Sequence, residues 1–300
     1  MPAIPPADPP DALNAAADFA GLVGRLRAAG CVFAEAEARL LSSAASTGEE
    51  LETLVERRVA GEPLEYVLGW VRFCGLDIAV DPGVFVPRRR TEFLVRSAVE
   101  MTLPHSVVVD LCCGSGAVGI ALASRVPFLD VYAADIDPAA VACARTNFTR
   151  FSRYLKAAEA VAGAAGAYEA RVFEGDLFAP LPGTLRGRVD VLVVNAPYVP
   201  SDAIAMMPPE ARDHEARVAL DGGGDGMDVQ RRVAASARDW LASSGRILIE
   251  TSRIQAPVTA EILAQGGLRS RVVWSKKRDA TVVIGSAAPR CAGEAPAAEG

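Results

Sequence analysis

The sequence predicts an α/β fold, a doubly wound sheet of seven strands preceded by a small helical domain. Three observations carry that expectation. Beyond Arg90, short apolar runs alternate with stretches of helical spacing, the pattern of strands joined by crossover helices. The first of these runs, Val107–Leu111, enters a tight turn that holds Gly114 and Gly116. Acids, Asp135 and Asp176, follow the next two runs, at the strand ends where open parallel sheets gather their ligands.

Taken in order, residues 1–10 are proline-rich and read as a disordered tail. Helices are expected over Asp11–Ala29, Phe33–Ala45 and Glu49–Val59, where apolar residues recur at helical spacing; Thr47 with Glu50 makes a capping-box start for the third. The helical domain spans residues 11–75 and, as a poor independent core, is expected to pack on the rest. Trp70–Val86 alternates apolar and polar residues with turns at Gly75 and Pro82-Gly83, and residues 76–90 read as an extended connector. The larger domain spans residues 91–286. Its strands are expected at Val107–Leu111, Leu129–Ala134, Arg171–Glu174, Val189–Val194, Arg246–Glu250, Arg271–Trp274 and Thr281–Ile284. Only Ser275–Ala280 separates the last two, which form an antiparallel hairpin. Lys156–Ala170, rich in Ala and Gly, reads as a surface loop or frayed helix without a chemical role, and residues 287–300 as a flexible tail.

Composition excludes several functions. A chain of 300 residues with 51% hydrophobic content suffices for one sizeable domain and a smaller companion. No apolar run is long enough to span a bilayer, and Met1-Pro2-Ala3-Ile4-Pro5-Pro6 lacks the basic-then-apolar order of a signal peptide; a soluble cytoplasmic protein is expected. The six cysteines, at 31, 74, 112, 113, 143 and 291, form no Cys-x-x-Cys pair and read as reduced apolar residues. With only His105 and His214 as histidines, no metal site is expected. A net charge of −6, with basic clusters confined to Arg88–Arg90 and Lys276–Arg278, gives little of the surface that nucleic-acid phosphates require.

The chemistry is carried by strand ends. In Asp110-Leu111-Cys112-Cys113-Gly114-Ser115-Gly116, Gly114 and Gly116 supply positive φ and the missing Cβ, so that a ligand touches backbone beside the N–H groups of the helical stretch Ala117–Ser124. Alone this is a weak signal, because dinucleotide-binding dehydrogenases use a similar turn. Asp135, 19 positions after Gly116 (135 − 116), suits both hydroxyls of a ribose. In Glu174-Gly175-Asp176-Leu177, Asp176 suits an adenine amino group and the Leu177 N–H a ring nitrogen. The run Val191–Val194 then delivers Asn195-Ala196-Pro197-Tyr198. The Asn195 carbonyl and the next backbone carbonyl accept the two N–H bonds of a planar NH2 group, and the Tyr198 ring packs on it.

Together these features resemble the class I S-adenosylmethionine methyltransferases that act on planar nitrogens. Gly61-Glu62-Pro63-Leu64-Glu65-Tyr66, Val84-Phe85-Val86-Pro87-Arg88, Thr91-Glu92 and Ala219-Leu220-Asp221-Gly222-Gly223 with Asp225-Gly226 narrow the resemblance to the release-factor glutamine N5-methyltransferases, in the family's order from Gly61 to Gly285. It implies S-adenosylmethionine as cofactor, held by Cys112, Cys113, Gly114, Ser115, Gly116, Asp135, Asp176, Leu177 and Asn195. It implies a glutamine amide of a release factor or ribosomal protein as acceptor, held by Phe85, Asn195, Ala196, Pro197 and Tyr198. That tetrapeptide is the expected catalytic element, working by placement and electrostatics without metal or covalent intermediate.

Two departures stand out. The family usually has Pro at Ala196; the acceptor there is a backbone carbonyl, which Ala keeps, and Pro197 still favours an extended Ala196. Arg88-Arg89-Arg90 stands where the family shows Arg-Pro-Glu. Such a run reads either as a solvated face or as a contact for an acidic partner or RNA. Two other function classes stay open: an adenine N6-methyltransferase on DNA or RNA, since that amino group is also planar, and a cofactor-binding interaction protein without catalysis. His214-Glu215 reads as a surface or capping pair, residues 221–226 as a glycine turn near the substrate entrance rather than a calcium loop, and Glu250 and Gln255 as structural. Acceptor identity and oligomeric state have no signature in the sequence.

Overall fold

The computed structural model describes residues 11–162 and 171–287. They fall into two compact units, one running to Gly69 and including Pro209–His214, the other comprising Trp70–Pro208 and Glu215 onward.

The smaller unit contains α1 (Asp11–Ala28), α2 (Ala34–Ala44), α3 (Gly48–Val59) and α4 (Leu64–Leu68). Leu22, Leu26, Leu41 and Val55 meet in its core. At the start of α3 the Glu50 N–H donates to Thr47 Oγ1 at 3.1 Å, while the Glu50 carboxylate accepts from the Ser46 N–H at 2.7 Å, one residue earlier than a regular capping box. Buried Arg58 is matched by Glu37 and Glu210, each at 2.7 Å, as a guanidinium removed from water requires.

The larger unit opens with β1 (Trp70–Phe73) and β2 (Leu76–Ala79), an antiparallel hairpin in which Trp70 pairs with Ala79. The unit therefore begins after Gly69 rather than at residue 75, and residues 76–90 do not stand apart as a connector. Gly75, at φ 85, closes the hairpin turn, and Phe73 and Ile78 are buried in the main core. Then follow α5 (Glu92–Val99), β3 (Val107–Leu111), α6 (Ala117–Ala123), β4 (Asp130–Asp135), α7 (Pro138–Ala162), β5 (Arg171–Glu174) and β6 (Val189–Val194). Of the Ala- and Gly-rich stretch, residues 156–162 continue α7; the remainder, like both tails, lies outside the described residues. The chain continues through α8 (Pro209–Arg212), α9 (Arg217–Leu220), α10 (Asp228–Trp240), β7 (Leu241–Thr251), α11 (Ala256–Gln265), β8 (Leu268–Ser275) and β9 (Ala280–Ala287).

Strand order is β5-β4-β3-β6-β7-β9-β8, parallel from β5 to β7 with β9 antiparallel to both neighbours. Both faces are covered, which explains why the strands are apolar without alternation. Val191, Val193 and Leu248 join the core that holds α5 and α6; Leu192, Val194, Ile247 and Ile249 join the one that holds α10 and α11. β7 starts at Leu241, before the expected Arg246, because the register with β6 shifts between Val189 and Val191. Gly245 lets that happen: a Cβ there would meet Val189 O at 2.5 Å.

Candidate active site

After β5 the chain crosses from one side of β3 to the other, so the carboxyl ends of β3 and β6 flank the reversal in strand order. A cavity of about 510 Å³ opens there. All residues expected at the site line it except Gly116. A Cβ on Gly116 would meet the Phe148 ring at 2.9 Å; this glycine, at φ 77, lies against the packing behind the turn.

The turn itself is built for close approach. Cys112 and Gly114 have φ 54 and 53, and nothing lies within 4 Å of a Cβ added at Gly114. The Ser115 hydroxyl is buried without a hydrogen-bond partner among the described residues. Asn147, absent from the sequence reading, holds the turn: its amide donates to Ser115 O at 2.9 Å and Ala79 O at 2.8 Å, and accepts from the Ala79 N–H at 2.8 Å. Asp110, also missed although it is an acid inside an apolar strand, is 2% exposed. Its Oδ2 accepts from the Gly119 N–H at 2.9 Å, taking one helix-start donor expected to face a ligand. Burial pushes its carboxyl up to about 7, against the opposing pull of that hydrogen bond. Burial raises the Cys112 and Cys113 thiols as well, keeping them protonated and apolar.

Asp135 ends β4 with each oxygen on a backbone donor, Oδ2 from the Gly114 N–H at 2.8 Å and Oδ1 from the Asp137 N–H at 3.0 Å. Each oxygen keeps a lone pair for a hydroxyl. Asp176 is paired with Arg232 of α10, a partner spacing did not reveal, and Leu177 holds φ 50 beside it. An open glycine backbone, an unpartnered buried hydroxyl and two strand-end acids fit the ribose and base of an adenosyl group.

Across the cavity, Ala196 is 1% exposed and packs into the α10–α11 core, while the side chain of Asn195 faces the cavity with no hydrogen-bond partner among the described residues. The tetrapeptide is braced from behind. Val199 N–H donates to Leu220 O at 3.1 Å, Gly222 N–H to Val199 O at 2.8 Å, and the Gln255 amide to Tyr198 O at 2.9 Å. A Cβ on Gly222 would meet Pro197 O at 2.8 Å, and one on Gly226 would meet Tyr198 O at 2.3 Å. The glycines of 221–226 thus support the site rather than line an entrance. Gln255 and Glu250, read as structural, also reach this region.

The arginine run is not one solvated face. Arg88 pairs with buried Glu215 at 2.6 Å and lies 5.0 Å from the centre of the Phe85 ring; Glu215 also accepts from the Val86 N–H at 3.2 Å. Arg90 lies 6.0 Å from the centre of the Tyr198 ring and 3.6 Å from Glu250. Arg89 is exposed. Burial lifts the Glu250 carboxyl to about 7, while Thr91 and Arg90 oppose the rise. Burial and then the Glu250 charge raise Tyr198, keeping its phenol neutral.

Comparison with known proteins agrees with this architecture. Residues 75–235 match the methyltransferase small domain family. A methyltransferase crystal structure from Pyrococcus furiosus superposes with a TM-score of 0.50 at 17% identity, over 71% of this chain and 90% of that one, which supports the class I methyltransferase fold. No described helix is long and apolar enough to cross a membrane. In sequence the chain is 36% identical over 214 residues to a release factor glutamine methyltransferase of Geobacter sulfurreducens, covering 71% of this chain and 69% of the relative. It is 38% identical over 218 residues to the Mycolicibacterium smegmatis enzyme of that name, with 72% and 71% covered, and 31% over 271 residues to the one from Bradyrhizobium diazoefficiens, with 82% and 85%. Identity of that depth over more than two thirds of both partners goes beyond a shared fold: this chain belongs to the release factor glutamine methyltransferases and is an S-adenosylmethionine-dependent enzyme.

Proposed function

We propose that this chain methylates the side-chain amide nitrogen of a glutamine in a peptide chain release factor. One observation carries the chemistry: the Asn195 amide faces the cavity without an internal partner, at the end of a strand whose next carbonyl belongs to buried Ala196. A half-buried amide that lines the cavity and has no hydrogen bond to another described residue keeps its acceptor and donors for a ligand. The names of the relatives point to the acceptor.

Bound S-adenosylmethionine supplies an electrophilic methyl group. The side chain of Asp135 would hold the ribose hydroxyls, while Asp176 and the Leu177 N–H would hold the adenine edge. Gly114 and Ser115 let the backbone approach the amino-acid portion. On the acceptor side, an amide lone pair is delocalised into its carbonyl and no side chain in the cavity deprotonates it beforehand. Asn195 Oδ1 and the Ala196 carbonyl would therefore accept the two N–H bonds, aim the nitrogen at the methyl carbon, and favour the positive charge that grows on nitrogen as the N–C bond forms and the C–S bond breaks, its electron pair leaving with the thioether product. Phe85 and Tyr198 cover the flat group. One proton then leaves the nitrogen to water.

The test is methyl transfer from labelled S-adenosylmethionine into purified release factor, a ribosomal protein and an adenine-containing oligonucleotide. Label in a glutamine of the release factor is expected. Label confined to the oligonucleotide, or absent from all three, overturns the reading.

A further inference from the structure

We propose that Arg90 is an acceptor-specificity residue: it reads a carboxylate carried by the acceptor segment close to the methylated glutamine. The inference rests on the reading above that the acceptor is a protein glutamine.

The argument comes from how charge is balanced in the cavity. Its lining includes four arginines, Arg88, Arg90, Arg217 and Arg232. Three are closely matched. Arg88 meets Glu215 at 2.6 Å, Arg217 meets Asp221 at 3.1 Å, and Arg232 donates to Asp176. Arg90 is the exception in distance, with Glu250 at 3.6 Å. Glu250 is a poor counter-ion. The oxygen nearest Arg90 also accepts from the Thr91 hydroxyl at 3.2 Å, and the other is buried with no hydrogen-bond partner among the described residues. Burial holds this carboxyl near neutrality, so much of the guanidinium charge is left uncompensated.

Position gives the charge its meaning. The Arg90 guanidinium lies 6.0 Å from the centre of the Tyr198 ring, on the tetrapeptide side, whereas Asp110, Asp135 and Asp176 line the cofactor side. Arginine presents five N–H donors in a fixed fork that suits a carboxylate. The contact to Glu250 leaves most of them available to an incoming chain.

Short glutamine-centred peptides in which a single Glu is walked through the flanking positions, compared with an all-neutral parent, test this. Binding is read by fluorescence anisotropy with S-adenosylhomocysteine present, and methyl transfer is measured in parallel. For the wild-type enzyme, Glu at one or more positions should tighten binding about fivefold, the scale of one partly exposed ion pair. Arg90→Ala should abolish that gain and Arg90→Lys keep part of it; the alanine variant places no like charge beside Glu250. Binding indifferent to Glu at every position, or a gain that survives Arg90→Ala, overturns the proposal. Charge-ordered binding that depends on Arg90 while no glutamine is methylated supports it and overturns the functional reading instead.

Discussion

Replacing Gly226 by alanine tests whether the tetrapeptide is positioned from behind, and the same loop supplies its own control. Gly226 has φ 79, and a Cβ there would lie 2.3 Å from Tyr198 O and 2.8 Å from the Gln255 side-chain nitrogen. Carbon contacts are comfortable only near 3.5 Å, so the Tyr198 carbonyl must retreat by about 1 Å. The left-handed backbone costs an alanine about 1–2 kcal/mol, and loss of the Gln255–Tyr198 hydrogen bond adds about 1 kcal/mol. Stability should fall by about 2–3 kcal/mol. Turnover should fall about a hundredfold, the usual result of a 1 Å misplacement at a reacting centre. The affinity for S-adenosylhomocysteine should not change, because Gly226 touches the acceptor element and not the glycine turn. Gly224→Ala is the control: nothing lies within 4 Å of its Cβ, and stability should stay within about 0.5 kcal/mol with normal kcat. Steady-state kinetics, calorimetric binding and denaturant melts of both variants settle the matter. Native turnover in Gly226→Ala, or equal damage from Gly224→Ala, refutes the bracing argument.

Asn195→Ala should lower kcat by at least about a hundredfold in a radiolabel assay, by analogy with loss of an oxyanion-hole donor; near-native turnover would remove Asn195 from the chemistry. Ala196→Pro keeps the carbonyl and should leave measurable methyl transfer in a radiolabel assay, at modest cost; a variant that binds cofactor normally yet transfers nothing would contradict the carbonyl's role. Glu250 gives a pH prediction. Its carboxyl rises from 4.5 to about 7 on folding, so the protonated form is favoured in the native state and its contribution is complete below about pH 4.5 and lost as pH rises through 7. The ceiling is about 3 kcal/mol at 1.36 kcal/mol per unit. Relative to wild type, Glu250→Gln should become progressively more stable across that window in urea melts, and parallel pH profiles would count against the assignment.

The strands were legible because burial on both faces leaves a mark in composition: Val191–Val194 alternates between two cores and so contains no polar residue. Strand ends were legible for a related reason. A polar residue directly after such a run, as Asp135 and Asn195 are, has reached the edge of the sheet. What spacing does not encode is which partner a side chain meets across the fold. The Arg88–Glu215 pair spans 127 positions and the Arg232–Asp176 pair 56, and neither follows a helical or strand period. Gly116 shows the same limit, since sequence shows that a position has no Cβ but not that Phe148 lies where one would go. The Trp70–Ala79 hairpin reads as a connector in sequence because its alternation is the same whether or not a second strand pairs with it.

The arginine run shows where the boundary between legible and illegible falls. As three identical charges in a row, Arg88, Arg89 and Arg90 offer no periodic reason to differ. A 3₁₀ turn over Arg89–Thr91 separates them: Arg88 remains extended and reaches Glu215, Arg89 points to solvent, and Arg90 comes round to Tyr198. The turn is in turn stabilised by Thr91, whose buried hydroxyl donates to Glu250, a residue at the end of a strand far along the chain. The local conformation that sorts the three charges is therefore fixed by a tertiary contact. That is why the run reads in the sequence only as a choice between solvent and partner, and why Arg90 rather than Arg89 comes to lie beside Tyr198.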